Sequence, residues 1–218
     1  LIESKKKLLH ALSLDYDAPP KLSGRSDIHV YFWLHAATFL KDGGYLSLIT
    51  SNSWLDVDYG APLQKFFLEN FRVVAILESK VERWFTDASV NTAIAVLQKE
   101  PSEKKRHNNI VRFVTFNAPL KDIFPEAGEN ETLRQRGMND IIKAILSTDA
   151  FTENEKWRIY LKPQKELWEE GLEGGEYVGG KWGKYLRAPK IFFEILERGK
   201  DKFCKLSDVA EVRRGFTT

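Results

Sequence analysis

Three short apolar runs constrain this chain more than any other feature: "YLSLIT" (45–50), "RVVAIL" (72–77) and "VNTAIAVLQK" (90–99). Each is too short for a typical buried helix and rich in residues that favour strands. The first is apolar almost without a break, the pattern of a strand covered on both faces. Between the first two lies "APLQKFFLENF", with Pro62 suited to a first helical turn. Strand, helix and strand in direct succession form a βαβ unit, whose crossover is right-handed. A helix is expected ahead of it in "GRSDIHVYFWLHAATFLKDGG". Ser26 or Asp27 can cap its start, and Gly43-Gly44 supplies a left-handed stop. Val30, Trp33, Leu34, Ala37 and Leu40 recur at helical spacing and form its buried stripe. "IVRFVTF" (110–116) reads as one more strand after the polar loop 101–109. The fold class is therefore α/β.

Beyond residue 118 the periodicity changes. Residues 131–149 read as helix, and "APKIFFEILERG" (188–199) as another. The stretch 151–184 is rich in Trp, Gly and charge, and its least regular part is "EGLEGGEYVGGKWGKYL". "FCKLSDVAEVRRGFTT" reads as a strand and turn opening a new domain. The expected organisation is 1–118 as half of an α/β domain, 119–203 as a mixed helical and irregular connector, and 204–218 as the start of another domain. The only methionine is Met138, and the chain stops inside an apparently structured segment, so a fragment of a longer protein is expected.

The charge balance is close to neutral, at +2 over 218 residues, so any basic surface must be local. Cys204 is the sole cysteine and the four histidines are scattered, which argues against a disulfide or a structural metal and suits a reducing cytoplasm. No apolar stretch has the length of a membrane span, and the first residues lack a signal-peptide core.

One connection is too long for its task. "SNSWLDVDYG" (51–60) separates the first strand from its helix, where two to six residues usually suffice. In α/β sheets the ligand sites lie at the carboxyl ends of the strands, and this loop lies at such an end.

Three pieces in order, "SDIHVYFWLHAATFLKDGGYLSLITSNSW", "YGAPLQKFFLENFRVVAIL" and "WFTDASVNTAIAVLQK", resemble the second half of the catalytic domain of N6-adenine DNA methyltransferases. The resemblance is to those of type I and type IIG restriction-modification systems, type II methylase subunits among their relatives. Downstream, "KWGKYLRAPKIFFEIL" (181–196) is similar to the connector of large single-chain restriction-modification enzymes, and "KLSDVAEVRRGFTT" (205–218) to the opening of a target-recognition domain. The resemblance implies a Rossmann-like class I methyltransferase sheet of seven strands. Here 45–50 would be its fifth strand, 72–77 its sixth, and 90–98 an antiparallel strand between them.

The implied activity is methyl transfer from S-adenosylmethionine to N6 of a flipped adenine in double-stranded DNA, in a cytoplasmic protein that can also meet restriction or specificity subunits. The family performs it with an Asn/Asp-Pro-Pro-Tyr/Phe motif, which this chain lacks. "APPK" (18–21) has no acceptor at Ala18 and no ring at Lys21, and reads as a plain loop. No glycine loop joins a buried strand to a helix, so no residue here holds the cofactor and no catalytic residue is assigned. The chain by itself is expected to be inactive.

The resemblance implies that part of the base pocket remains. Phe85 matches the family's aromatic that contacts the flipped base, though it can equally pack the loop, as can Trp84 beside it. Asn52 and Trp54 match the loop that lines the pocket floor, against the plainer readings of a turn residue and a core ring. Asn91 opens the antiparallel strand near Phe85. Lys184 and Arg187, in an aromatic-rich segment with Lys181 and Lys190, and Arg213 and Arg214 are candidates for DNA contact. A second reading is non-catalytic: a DNA-binding or assembly module of a restriction-modification complex.

Overall fold

The computed structural model describes residues 2–16, 20–85, 87, 89–126, 128, 130–204 and 206–211. The chain divides into two compact units, Leu1–Leu186 and Arg187–Thr218. The first begins with helices α1 (Ile2–Asp15) and α2 (Ile28–Thr38). Asp27 caps α2 by accepting a hydrogen bond from the amide of Ile28, and Val30, Trp33, Leu34 and Ala37 are buried as their spacing implied. Gly43, at φ 78°, turns the chain into β1 (Tyr45–Ser51).

Helix α3 (Ala61–Asn70) follows, with Pro62 in its first turn, and leads to β2 (Phe71–Ser79) and β3 (Thr92–Lys99). After the short α4 (Glu103–His107) comes β4 (Ile110–Phe116). The next elements are α5 (Leu120–Ile123), α6 (Glu131–Leu146), β5 (Thr152–Glu153) and β6 (Trp157–Pro163). Helix α7 (Gln164–Glu170) and a hairpin of β7 (Leu172–Glu173) and β8 (Glu176–Tyr177) precede α8 (Gly183–Arg187).

The six-stranded sheet has the order β1-β3-β2-β4-β6-β5. Strand β3 runs antiparallel to both β1 and β2 and lies between them. The register pairs Ser51 with Thr92 on one side and Glu78 with Ala93 on the other. An antiparallel strand inserted between two parallel ones is the arrangement expected for 45–50, 72–77 and 90–98. Strand β4 extends the sheet parallel to β2.

Three local expectations differ from the structure. Strand β1 is not covered on both faces: Tyr45, Ser47 and Ile49 share an exposed face, and among the described residues β1 is the outermost strand, paired with β3. Second, 151–184 contains a strand that periodicity did not reveal. "WRIYLKP" alternates apolar residues with Arg158 and Lys162, which look like solvent-facing residues of a loop. Arg158 is in fact 8 % exposed and donates to the carbonyl oxygen of Leu186, while Lys162 pairs with Glu166 and Glu170. Tertiary partners thus make a charged strand acceptable inside the sheet.

Third, in the second unit, α9 (Lys190–Gly199) matches the helix expected at 188–199, but 206–209 forms a helical turn, α10 (Leu206–Val209), where a strand was expected. No helix among the described residues is long and apolar enough to cross a membrane.

The sheet carries a bulge on β2 between Val73 and Ala75. The pairing of β4 with β2 begins only at Ala75, and ahead of it Gln164 and Asn109 take up the backbone groups of Phe71 and Val73. Gln164 Oε1 accepts from the amide of Val73 at 2.9 Å, and Nε2 donates to the carbonyl of Phe71 at 2.7 Å. Asn109 Nδ2 donates to the carbonyl of Val73 at 2.7 Å and to Gln164 Oε1 at 2.9 Å. The segment 151–170 is therefore bound into the sheet by polar satisfaction as well as by packing.

Candidate functional site at the carboxyl ends of the parallel strands

Strands β1, β2 and β4 are mutually parallel, so the loops after Ser51, Ser79 and Phe116 and the residues before Thr92 share one end of the sheet. The long connection after β1 is a built structure. It folds into two 3₁₀ turns, Asn52–Leu55 and Asp58–Gly60. The hydroxyls of Ser51 and Ser53 share a hydrogen bond at 2.9 Å, and Ser53 shares a second with Tyr59.

Beneath the turns lies Gln64. Its Nε2 donates to the carbonyls of Trp54 and Leu55 at 3.0 and 3.3 Å, and its Oε1 accepts from the amide of Gly180 at 3.0 Å and the hydroxyl of Tyr177 at 3.3 Å. Gly60 is required by close approach, because a Cβ there would stand 1.9 Å from the carbonyl oxygen of Trp54. Outside the loop, Lys181 donates to the carbonyl of Asp56 and to Asp58 Oδ1, both at 2.8 Å. That hydrogen bond and the lysine charge hold the Asp58 carboxyl below its ordinary range.

This framework decides the fate of each candidate. Asn52 stands at the strand end: its amide N–H donates to the carbonyl of Asn91 at 3.0 Å, and its Nδ2 donates to Glu78 Oε1 at 2.9 Å. Asn52 and Asn91 are thus brought together, and the exposed Asn91 opens β3 as expected. Trp54 is not on the pocket floor. Its ring is 0 % exposed and packs edge-on against Phe67 and Trp182, at 5.5 and 5.9 Å. An indole without accessible surface cannot touch a substrate, so the plainer reading of a core ring applies.

Phe85 is 46 % exposed on the connection from β2 to β3, at the same end of the sheet. Its neighbour Trp84 is the packing ring, set against a cluster that includes Val114, Phe116 and Ile123.

Of the DNA-contact candidates, Lys184 is engaged within the fold: its Nζ pairs with Glu170 Oε2 at 2.9 Å and stands 5.0 Å from the centre of the Tyr185 ring. Arg187 is exposed. Arg213 and Arg214 lie outside the described residues, as do Ala18 and Pro19 of "APPK". Lys190 pairs with Glu194 one turn along α9.

Sequence reading missed Glu78. In the sequence it is one acid after the apolar run 72–77; only the fold shows it 8 % exposed, where a carboxylate is costly unless paired. It also missed Ser51 and Ser53 as the loop's internal ties. The glycine-rich 171–180 is a hairpin: Gly174 and Gly175, at φ 58° and 86°, form its turn. It is no cradle between strand and helix.

Residues 3–85 match the model of the Eco57I restriction-modification methylase family. Over 77 residues the chain is 34% identical to the type II methyltransferase M.XamI of Xanthomonas campestris pv. amaranthicola, a stretch covering 34% of this chain and 14% of that protein. Among solved structures, the type IIG restriction endonuclease BpuSI superposes on 89% of this chain with a TM-score of 0.59 at 17% identity. The methyltransferase subunit of a type I restriction-modification system from Streptococcus thermophilus superposes on 79%, with a TM-score of 0.52 at 18% identity. Both superpositions are likenesses of fold. The chain spans only 20% of BpuSI and 33% of the Streptococcus subunit.

Proposed function

We propose that this chain is part of a restriction-modification DNA methyltransferase, and that it supplies one wall of the cavity receiving the target base. The carrying observation is the junction of Asn52, Glu78 and Asn91 at the carboxyl ends of β1 and β2, on the same sheet end as the exposed ring of Phe85. The match over residues 3–85 covers Asn52, Glu78, Phe85 and the loop after β1, though not Asn91, and this supports the reading.

The target in this reading is N6 of adenine and the methyl donor is S-adenosylmethionine, held by a part of the longer polypeptide. Adenine's amine is stacked and paired in a duplex, so the base is extruded at a cost of a few kcal/mol. A half-exposed aromatic on an anchored loop offsets that cost, since stacking is worth ~1–3 kcal/mol per base. Asn52, held by two hydrogen bonds, faces the same space with a polar group whose direction is set. Restriction or specificity subunits are the partners this role implies.

The test uses the full-length polypeptide that carries this chain, duplex DNA and labelled S-adenosylmethionine. Methyl transfer to adenine is expected. Phe85→Ala should weaken capture of the extruded base, read from a fluorescent base analogue at the target position, and spare affinity for the donor. Unaltered methylation by that variant would remove Phe85 from the pocket, and absence of transfer by the unmodified protein would remove the function.

A further inference from the structure

The connection after β2 has an alternation that the base-pocket reading does not use. From Val81 to Phe85, odd-numbered residues are exposed and even-numbered ones are half-buried. The inward residues are anchors. Glu82 Oε1 accepts from the amide of Leu120 at 2.8 Å, at the start of α5, and Trp84 packs on the β4–α5 cluster. Ser79 Oγ accepts from the amides of Val81 and Glu82 at 3.3 and 3.1 Å, and the amide of Lys80 donates to the carbonyl of Phe116 at 3.0 Å. Residues 79–84 are thus folded on themselves by Ser79 and held to the rest of the fold at Phe116, Leu120 and the Trp84 cluster, and whatever they present outward is presented in a set direction.

Outward stand Lys80, Arg83 and Phe85. Among the described residues neither cation has an acidic partner or a side-chain hydrogen bond, whereas Lys181, Lys184 and Lys190 are all paired. The only exposed acid on the same connection is Asp87, beyond the anchored part. An unneutralised guanidinium two residues from an exposed ring, on a rigid support, has the composition of a nucleic-acid strand contact: charge for phosphate, π-face for base.

We infer that Arg83, assisted by Lys80, binds the sugar-phosphate backbone beside the base that Phe85 meets, and so fixes that nucleotide's register on the sheet end. This rests on the proposed function for its occupant, a DNA strand. A phosphate contact of this kind carries no sequence information, so Arg83 sets affinity and position, and leaves the choice of site unchanged.

The experiment measures the DNA affinity of the full-length protein across a salt series. Each phosphate contact contributes about 0.7–0.9 to the slope of log affinity against log salt. Arg83→Ala is expected to weaken binding and to reduce the slope by roughly one such unit, equally on cognate and non-cognate duplexes. Arg83→Lys should restore the slope, and Lys41→Ala, at the opposite end of β1, should leave it unchanged. An unaltered slope in Arg83→Ala, a loss that Arg83→Lys does not rescue, or equal competition by polyglutamate overturns the assignment. Failure of methyl transfer with the slope change intact removes the enzymatic reading and leaves the phosphate contact standing; no DNA binding by the unmodified protein removes both.

Discussion

Asn52 Nδ2 donates to Glu78 Oε1 across a strand that lies between them: Asn52 follows the last residue of β1 and Glu78 precedes the last of β2, strands separated by β3 in the sheet. The bridge passes over the start of β3, where the carbonyl of Asn91 accepts the amide of Asn52. One residue, through its backbone amide and its side chain, therefore ties three strand ends into a single surface. A buried carboxylate deprived of this partner costs about 1–3 kcal/mol, more if it stays charged. Asn52→Ala is expected to lower stability by about that much, measured by urea denaturation, whereas Glu78→Gln keeps the hydrogen bond and should cost under about half of it. Equal losses in both variants would show that the carboxylate, and not the bond, matters.

Trp54 and Phe85 were both sequence candidates for base contact, and the structure separates them by burial. Trp54→Ala leaves a large core cavity and should destabilise by about 3–5 kcal/mol. Phe85→Ala, at a half-exposed ring, should cost well under about 1 kcal/mol. Denaturant midpoints of the two variants decide this, and a large stability loss in Phe85→Ala would mark that ring as packing.

Gln64 serves four backbone or side-chain partners from one amide. Gln64→Leu preserves volume and removes every one of those bonds, leaving the buried carbonyls of Trp54 and Leu55 without this donor. We expect a loss of more than about 2 kcal/mol, with amide hydrogen exchange accelerated first in residues 52–60. Uniform acceleration across the sheet would contradict a local role.

His29 gives a pH dependence. Burial lowers its pKa below the ordinary imidazole value of 6.5, opposed by the charge of Asp27. Between that lowered value and 6.5 the unfolded chain binds more protons than the folded one. The folded state therefore has its full stability above 6.5 and loses part of it as pH falls through 6.5. In a series of denaturation curves from about pH 7.5 to 5.5, the unmodified chain should lose stability more steeply than His29→Gln. Parallel profiles would exclude His29 as the source.

The outer strand predicts behaviour of the isolated chain. Among the described residues β1 has no strand on its outer edge, and around the exposed Tyr45 and Ile49 the strand has none of the lysines, prolines and bulges that protect natural edges. Self-association is expected in sedimentation velocity, and Ser47→Lys on the same exposed face should reduce it. No change on that substitution would place the contact elsewhere.

Some of this architecture could be read from residue order alone, and the reasons are local. The runs 45–50, 72–77, 90–99 and 110–116 announced themselves because buried strands need unbroken or alternating apolar residues, and the helix at 28–38 because its cap and stripe share one period. The surplus length of 51–60 correctly marked the sheet end, since a loop longer than its span must contain structure of its own. Other features depended on partners far away in sequence. Strand β6 looked polar until Leu186, Glu166 and Glu170 satisfied its charges, and Glu78 looked like a surface carboxylate until Asn52 came across β3. Local periodicity is decided by which face of an element meets the core, and that much is written in the chain. Whether a polar group is a solvent contact, an anchor or a site depends on what the fold brings within about 3 Å of it, which only tertiary structure decides.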